Sequence, residues 1–336
     1  MNTFIDHIIS KTNASAAGPD TLYLFPNRRA GVHFKQTLAQ QLEQPIWSPT
    51  VMSGADFIKQ QFKPHTLLDQ LTLLFELYNV YRNIAPGTPQ PFDQFYPWGQ
   101  MMLRDFDEAD RYLVDGKRLF YNVRDLRELE QRFGPDLADY EAYRAFWATF
   151  SSTELRGAQE SFVRIWQQLS QLYQAFRAHL SDKQVGYEGM AYRALAEELS
   201  WIEHLPYKKV YVCGFNALST SEKTIFLALI EQKNAQLFWD VDRWYLDNPK
   251  HEAGYFLREN FKDGLPQPDS IPSSFTEQPK RIMAKGVPGA HGQVQVALDQ
   301  LHEWIHEPDF VPEETAIVLG DESLLFPLLY ALPTSL

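Results

Sequence analysis

Thr21-Leu22-Tyr23-Leu24-Phe25-Pro26-Asn27-Arg28-Arg29-Ala30-Gly31-Val32-His33-Phe34 decides how this chain is read. Five residues without a formal charge, four of them large and apolar, form a run too short for a helix and bounded by a proline, which predicts a strand buried on both faces. Pro26 ends the strand, and the spacing of the apolar residues after it predicts a helix. A second stretch repeats the pattern: Lys209-Val210-Tyr211-Val212-Cys213-Gly214-Phe215-Asn216-Ala217-Leu218-Ser219-Thr220-Ser221-Glu222-Lys223 reads as a strand, a glycine turn and a helix. Ser219 or Thr220 serves as the cap of that helix, with Glu222 behind it.

Further short apolar runs extend the strand inventory. The candidates are Leu22 to Phe25, Ile46 to Val51, Val210 to Cys213, Leu237 to Asp240, Ile282 to Lys285 and Ala316 to Leu319. Between Phe57 and Leu205 the signal is helical instead. Leu67, Leu71, Leu74, Tyr78 and Tyr81 recur at steps of four and three, as do Phe162, Ile165, Leu169, Leu172, Phe176 and Leu180. Such stripes are the core faces of helices.

The expected fold class is therefore α/β: a RecA-like parallel sheet interrupted by a large all-helical subdomain, then the start of a second RecA-like domain. Residues 1–56 and 206–261 would form the first sheet domain and residues 57–205 the helical insertion. Residues 262–280, rich in Pro, Ser and Gly, read as an exposed linker. Residues 281–336 would open a second domain that is thin by itself, so the expectation is a protein that continues beyond Leu336.

Composition narrows the function. The 336 residues are 44% hydrophobic, ample for packed cores. No apolar run is long enough to span a membrane, and residues 1–11 lack the pattern of a secretory signal, so the expected location is cytoplasmic with no membrane partner. The lone cysteine, Cys213, excludes disulfides and cysteine-built metal clusters within the chain. Acidic residues outnumber basic ones 43 to 31, which argues against a protein that simply coats nucleic acid. Local placement differs: from Thr21 to Leu42 stand three cations, Arg28, Arg29 and Lys35, and no carboxylate.

Catalytic signatures are missing. No G-x-x-x-x-G-K-[ST] loop exists to cradle phosphates, and the glycines of residues 286–292 are followed by neither Lys-Ser nor Lys-Thr. Asp107-Glu108-Ala109-Asp110 spells a helicase box, but Met102, Phe106, Ala109 and Tyr112 or Leu113 fall at helical spacing. That places the carboxylates on the solvated side of an amphipathic helix. Asp115-Gly116-Lys117 has nuclease letters without a partnering strand. The histidines show no zinc spacing, and no G-x-S-x-G elbow appears. No catalytic residue, cofactor site or metal site is expected.

The two strand–turn–helix stretches, together with residues 92–99 (FDQFYPWG), 187–190 (YEGM) and 321–325 (DESLL), resemble AddB-like subunits of bacterial helicase-nucleases, in the form where the ATPase signature has decayed. The resemblance runs from Leu24 to Leu332 and is nearest to members from Bacteroidetes-type bacteria. It departs from the ATP-hydrolysing members at Cys213-Gly214-Phe215, where they carry an acid at the strand end. It implies a role in repair of broken DNA ends, with single-stranded DNA and an AddA-like motor subunit as partners. Asn27, Arg28, Arg29 and Lys35 match the motif that runs along single-stranded DNA. Ser53, Asp56 and Phe57 match a further DNA-contacting loop. A planar guanidinium at a helix N-terminus suits phosphate oxygens, so the assignment makes physical sense. Two other readings stand beside it: a helicase or exonuclease subunit whose active residues are unconventional or lie outside this sequence, and an α/β interaction module that binds no nucleic acid.

Overall fold

The computed structural model describes residues 3–84, 89–115, 156–312 and 315–332, with the side chains of the helix that starts at Arg156 described from Leu169 onward. Gly116, Lys117 and the side chains of Phe162 and Ile165 lie outside the described residues. Contacts divide the chain into two units, Met1–Phe275 and Thr276–Leu336.

The first unit opens with α1 (Phe4–Thr12), β1 (Thr21–Phe25), α2 (Arg28–Gln40), β2 (Thr50–Ser53) and α3 (Gly54–Gln61). A short β3 (Thr66–Leu67) leads to α4 (Gln70–Ile84) and α5 (Phe92–Arg111). After the long α6 (Arg156–Asp182) come β4 (Val185–Gly186), α7 (Glu188–Glu197), β5 (Lys209–Cys213), α8 (Thr220–Lys233) and β6 (Gln236–Phe238). Helices α9 (Arg243–Asp247) and α10 (Tyr255–Lys262) follow.

Four of these strands form one parallel sheet in the order β2-β1-β5-β6, and β3 pairs with β4 in a small separate one. Parallel pairing requires both faces to be covered, and the alternation along β1 and β5 does this. Leu22, Leu24, Val210 and Val212 face one core with residues of α3, α7 and α8. Tyr23, Phe25, Tyr211 and Cys213 face the other with residues of α1 and α2. Cys213 is buried among them, and burial pushes its thiol well above the ordinary range, so it packs as a small apolar residue. The strand expected from Ile46 begins only at Thr50, because the chain through Pro45 and Pro49 is irregular.

A third core belongs to the helices. Leu73, Leu74 and Leu77 of α4 pack with Phe95, Met102 and Phe106 of α5, and with Leu172, Phe176 and Leu180 of α6. Complete burial of a side chain such as Phe106 contributes on the order of 2–3 kcal/mol. Helix α7 serves both cores: Met190 joins the helical cluster, while Ala191, Tyr192 and Leu195 join the sheet cluster.

The end of α5 is built with care. Leu113 takes a left-handed conformation (φ 53°), its N–H donates to the Asp110 carbonyl (3.1 Å), and the Val114 N–H reaches back to the Ala109 carbonyl (2.8 Å). This closure usually uses glycine.

The stretch read as an exposed linker is partly anchored instead. Leu265 is buried, Trp239 Nε1 donates to the Pro266 carbonyl (2.8 Å), and the Arg243 N–H donates to the Pro272 carbonyl (2.8 Å). Proline and serine gave the composition of a linker, but apolar Leu265 and the free carbonyls beside the prolines supply the anchors.

The second unit holds α12 (Gly289–Ile305) and α13 (Leu325–Ala331), after a short helical turn α11 (Ser274–Glu277) that crosses the division. Val294, Leu324 and Leu328 form its small core. Residues 282–285 and 316–319, expected as strands, pair with nothing among the described residues. Val318 is 88% exposed and Ile282 82% exposed. An apolar run suffices for the expectation, but a strand exists only where a neighbour takes its hydrogen bonds.

Candidate nucleic-acid interface

Two helix N-termini meet at the carboxyl edge of the sheet beside the cationic turn. Asn27 is the cap of α2, its Oδ1 accepting from the Ala30 N–H (2.9 Å). Ser53 is the cap of α3, its Oγ accepting from the Asp56 N–H (3.1 Å). A third N-terminus follows β5 at the same edge, where Ser219 and Glu222 close a reciprocal capping box. β2 lies on one side of β1 and β5 on the other, so this edge is also the switch point where open parallel sheets present their crevice.

The sheet register brings one predicted cation against a carboxylate. Phe25 lies opposite Ser53, and three residues beyond each stand Arg28 and Asp56. Arg28 Nε donates to Asp56 Oδ2 (2.7 Å) and its Nη2 to Oδ1, a two-pronged pair. Ser53 Oγ donates to Asp56 Oδ2 as well (2.6 Å). Arg28 first, and Ser53 after it, pull the Asp56 carboxyl down to about 2. Arg28 nonetheless leaves 80% of its side chain in solvent.

The other predicted residues divide. Arg29 and Lys35 are exposed and form no ion pair among the described residues. Lys35 lies seven residues after Arg28 and shares its face of α2, whereas Arg29 points about 100° round the helix. Ser53 is buried and its hydroxyl is spent on Asp56, and Phe57 is buried in the sheet core, so neither is offered to a ligand. Asn27 spends its Oδ1 on the cap, while the residue itself is exposed. Arg29 and Lys35 thus remain as exposed cations without an ion pair among the described residues, and Arg28 is paired with Asp56.

The Asp107-Glu108-Ala109-Asp110 stretch corrects an expectation. It is helical, but Asp110 is fully buried rather than solvated. Asp110 continues the apolar stripe Leu103, Phe106 at helical spacing, and that spacing was the available signal. Tyr173 and Tyr187 donate their hydroxyls to its two carboxylate oxygens. Burial raises both tyrosines above their ordinary range, and the carboxylate adds to the effect. Arg193 Nε lies 2.6 Å from Oδ1 and Arg177 Nε 3.7 Å from Oδ2, both as ion pairs without an aligned hydrogen bond. Arg193 also donates through Nη2 to the carbonyls of Ala109 and Val114, placing a cation on the C-terminus of α5.

Asp107 is half-buried. Its carboxylate accepts from the Gly189 N–H at the start of α7 and from Arg111 Nε (2.7 Å). Arg111 pairs with Glu188 too and lies over the Tyr192 ring, 4.6 Å from its centroid. A Cβ at Gly189 would stand 2.2 Å from the Asp107 carbonyl oxygen, so the two helices touch backbone to backbone. These charges lock α5, α6 and α7 together and leave no carboxylate of Asp110 for a metal.

Among the described residues no cluster of His, Cys, Asp and Glu is arranged to hold a metal ion, and no helix is long and apolar enough to cross a membrane. No protein-family model matches the chain, and no curated protein matches it in sequence.

Proposed function

We propose that this chain is a non-catalytic, AddB-like scaffold of a DNA-break-processing helicase-nuclease, with a RecA-like sheet domain and an inserted helical subdomain, that contacts single-stranded DNA and a motor subunit. The observation that carries the reading is the turn after β1. Arg29 stands there in the first turn of α2 without a carboxylate partner, beside Arg28, at the switch-point edge of a parallel sheet, and Lys35, also without one, lies two turns further along α2. The strand end after β5 supports the non-catalytic part: Cys213 is followed by Gly214 at φ +71° and Phe215, with no carboxylate for magnesium.

Fluorescence anisotropy with a short single-stranded oligonucleotide at several salt concentrations tests it. Each phosphate contact lowers the log-log salt slope by about 0.7, so two available cations give a slope of about −1.4. Asp56→Asn frees Arg28, which steepens the slope to about −2 and strengthens binding. Arg29→Ala with Lys35→Ala abolishes most of the binding. Equal affinity of that double variant and the wild type refutes the assignment of the turn.

A further inference from the structure

Helix α12 carries a histidine pair, against the expectation that the histidines show no zinc spacing. Residues 302–306 read His302-Glu303-Trp304-Ile305-His306, and no other two histidines of the chain stand so close in sequence. A step of four residues returns to the same face of a helix, about 40° from where it started. His302 lies in the last turn of α12, and His306 is its C-terminal cap, still at a helical backbone conformation (φ −91°, ψ −5°). Both residues are exposed.

The rings are placed to share an ion. Their centroids stand 4.9 Å apart, with the planes inclined at 64°. Two imidazoles on one tetrahedral zinc, each bound through a bond of about 2.0–2.1 Å, hold their centroids roughly 5 Å apart. His306 Nδ1 donates to the His302 carbonyl (2.7 Å). That hydrogen bond fixes the tautomer and leaves the lone pair on Nε2, the arrangement in which the second nitrogen of a ligating histidine is held by a backbone carbonyl.

The surroundings suit a cation as well. The last carbonyls of α12 carry partial negative charge, and the exposed Glu303 and Glu307 adjoin the pair in sequence. Lys285 meets Gln300 Oε1 (3.2 Å), at a position about 160° round the helix from His302. Among the described residues no group of three or more His, Cys, Asp and Glu could hold a metal, so the pair supplies two ligands and water the others. Two protein ligands make a binding site, whereas a zinc hydrolase needs three.

We propose that His302 and His306 form a two-histidine site for a divalent transition-metal ion of the zinc, nickel and copper group, held at the C-terminal end of α12 by His306 Nε2 and the His302 imidazole. The site lies in the second unit and does not rest on the DNA reading.

Calorimetry with zinc chloride on the full 336-residue chain, stripped of metal by a chelator and dialysed, tests the idea. One zinc ion binds per chain with micromolar affinity, copper(II) binds more tightly, and magnesium, which prefers oxygen ligands, does not compete. His302→Ala and His306→Ala each weaken zinc binding on the order of tenfold or more. His291→Ala, at the other end of α12, leaves the affinity unchanged. In the chain labelled with nitrogen-15 at histidine, zinc shifts the ring resonances of two histidines, and both are identified by their loss in the variants. His302→Ala keeps the His306 side chain that caps the helix end, so its result stands even where His306→Ala loosens the last turn. The proposal is overturned if the wild type takes up no zinc, if either alanine variant at 302 or 306 binds zinc as tightly as the wild type, or if His291→Ala loses as much as they do.

Discussion

Two regions of this molecule carry similar letters and do opposite work. Residues 107–111 and residues 27–35 each hold a short cluster of charges on a helix. In the first, Asp110 is sealed between two tyrosine hydroxyls and two guanidinium groups, and Asp107 is tied to Arg111 and to the Gly189 N–H. In the second, Arg29 and Lys35 stand in water, and Arg28 has one carboxylate partner at an exposed edge. The difference shows that burial decides what a charge is for. A buried network holds helices in register and is costly to open, whereas an exposed one adds little stability and is free to meet a ligand.

The largest effect belongs to the buried side. Asp110→Ala leaves buried Arg193 with only the exposed Glu197 as counter-ion and takes the acceptor from two tyrosine hydroxyls. A loss of roughly 3–5 kcal/mol is expected, read from urea unfolding. Unchanged stability would place the charges of residues 107–111 in the same class as the exposed ones and dissolve the contrast.

Gly189→Ala is the next test. Its Cβ would stand 2.2 Å from the Asp107 carbonyl oxygen, a backbone atom that cannot swing away, so α5 and α7 must separate. A loss of about 1–3 kcal/mol is expected, as for overpacked sites generally. A substitution with no effect on the thermal midpoint would mean that the two helices already have room to part.

The sheet was legible where burial on both faces wrote an unbroken apolar run, as in Thr21–Phe25 and Lys209–Cys213. It failed in residues 282–285 and 316–319 because the run records burial preference, while a strand also needs a partner. The capping box at Ser219 and Glu222 was legible because its chemistry is local, three residues apart. The Arg28–Asp56 pair was not, since it depends on the register of β1 against β2. Asp110 was misread for another reason: a carboxylate on an apolar stripe looks like a surface residue until the arginine and tyrosines that receive it, 63 to 83 residues later, are folded against it.

The smallest effect lies at the exposed edge and sharpens the comparison from its weaker side. Asp56 has a folded-state pKa of about 2, below its unfolded value, so its contribution is present above the ordinary carboxylate range and is lost as pH falls from about 4 to about 2. Its side chain is 32% exposed, so solvent screening limits the contribution to about 1 kcal/mol or less. Asp56→Asn should therefore lower neutral-pH stability by about 1 kcal/mol or less, leave stability at acid pH unchanged, and so flatten the acid limb of the profile in that window. The same substitution strengthens DNA binding if the turn after β1 is the interface, because Arg28 loses the carboxylate that competes with phosphate. One variant thus separates the two roles: a stability change without a change in DNA affinity makes the pair a structural tie between the ends of β1 and β2, and a gain in affinity with a steeper salt slope makes Asp56 the group that holds Arg28 back from its ligand.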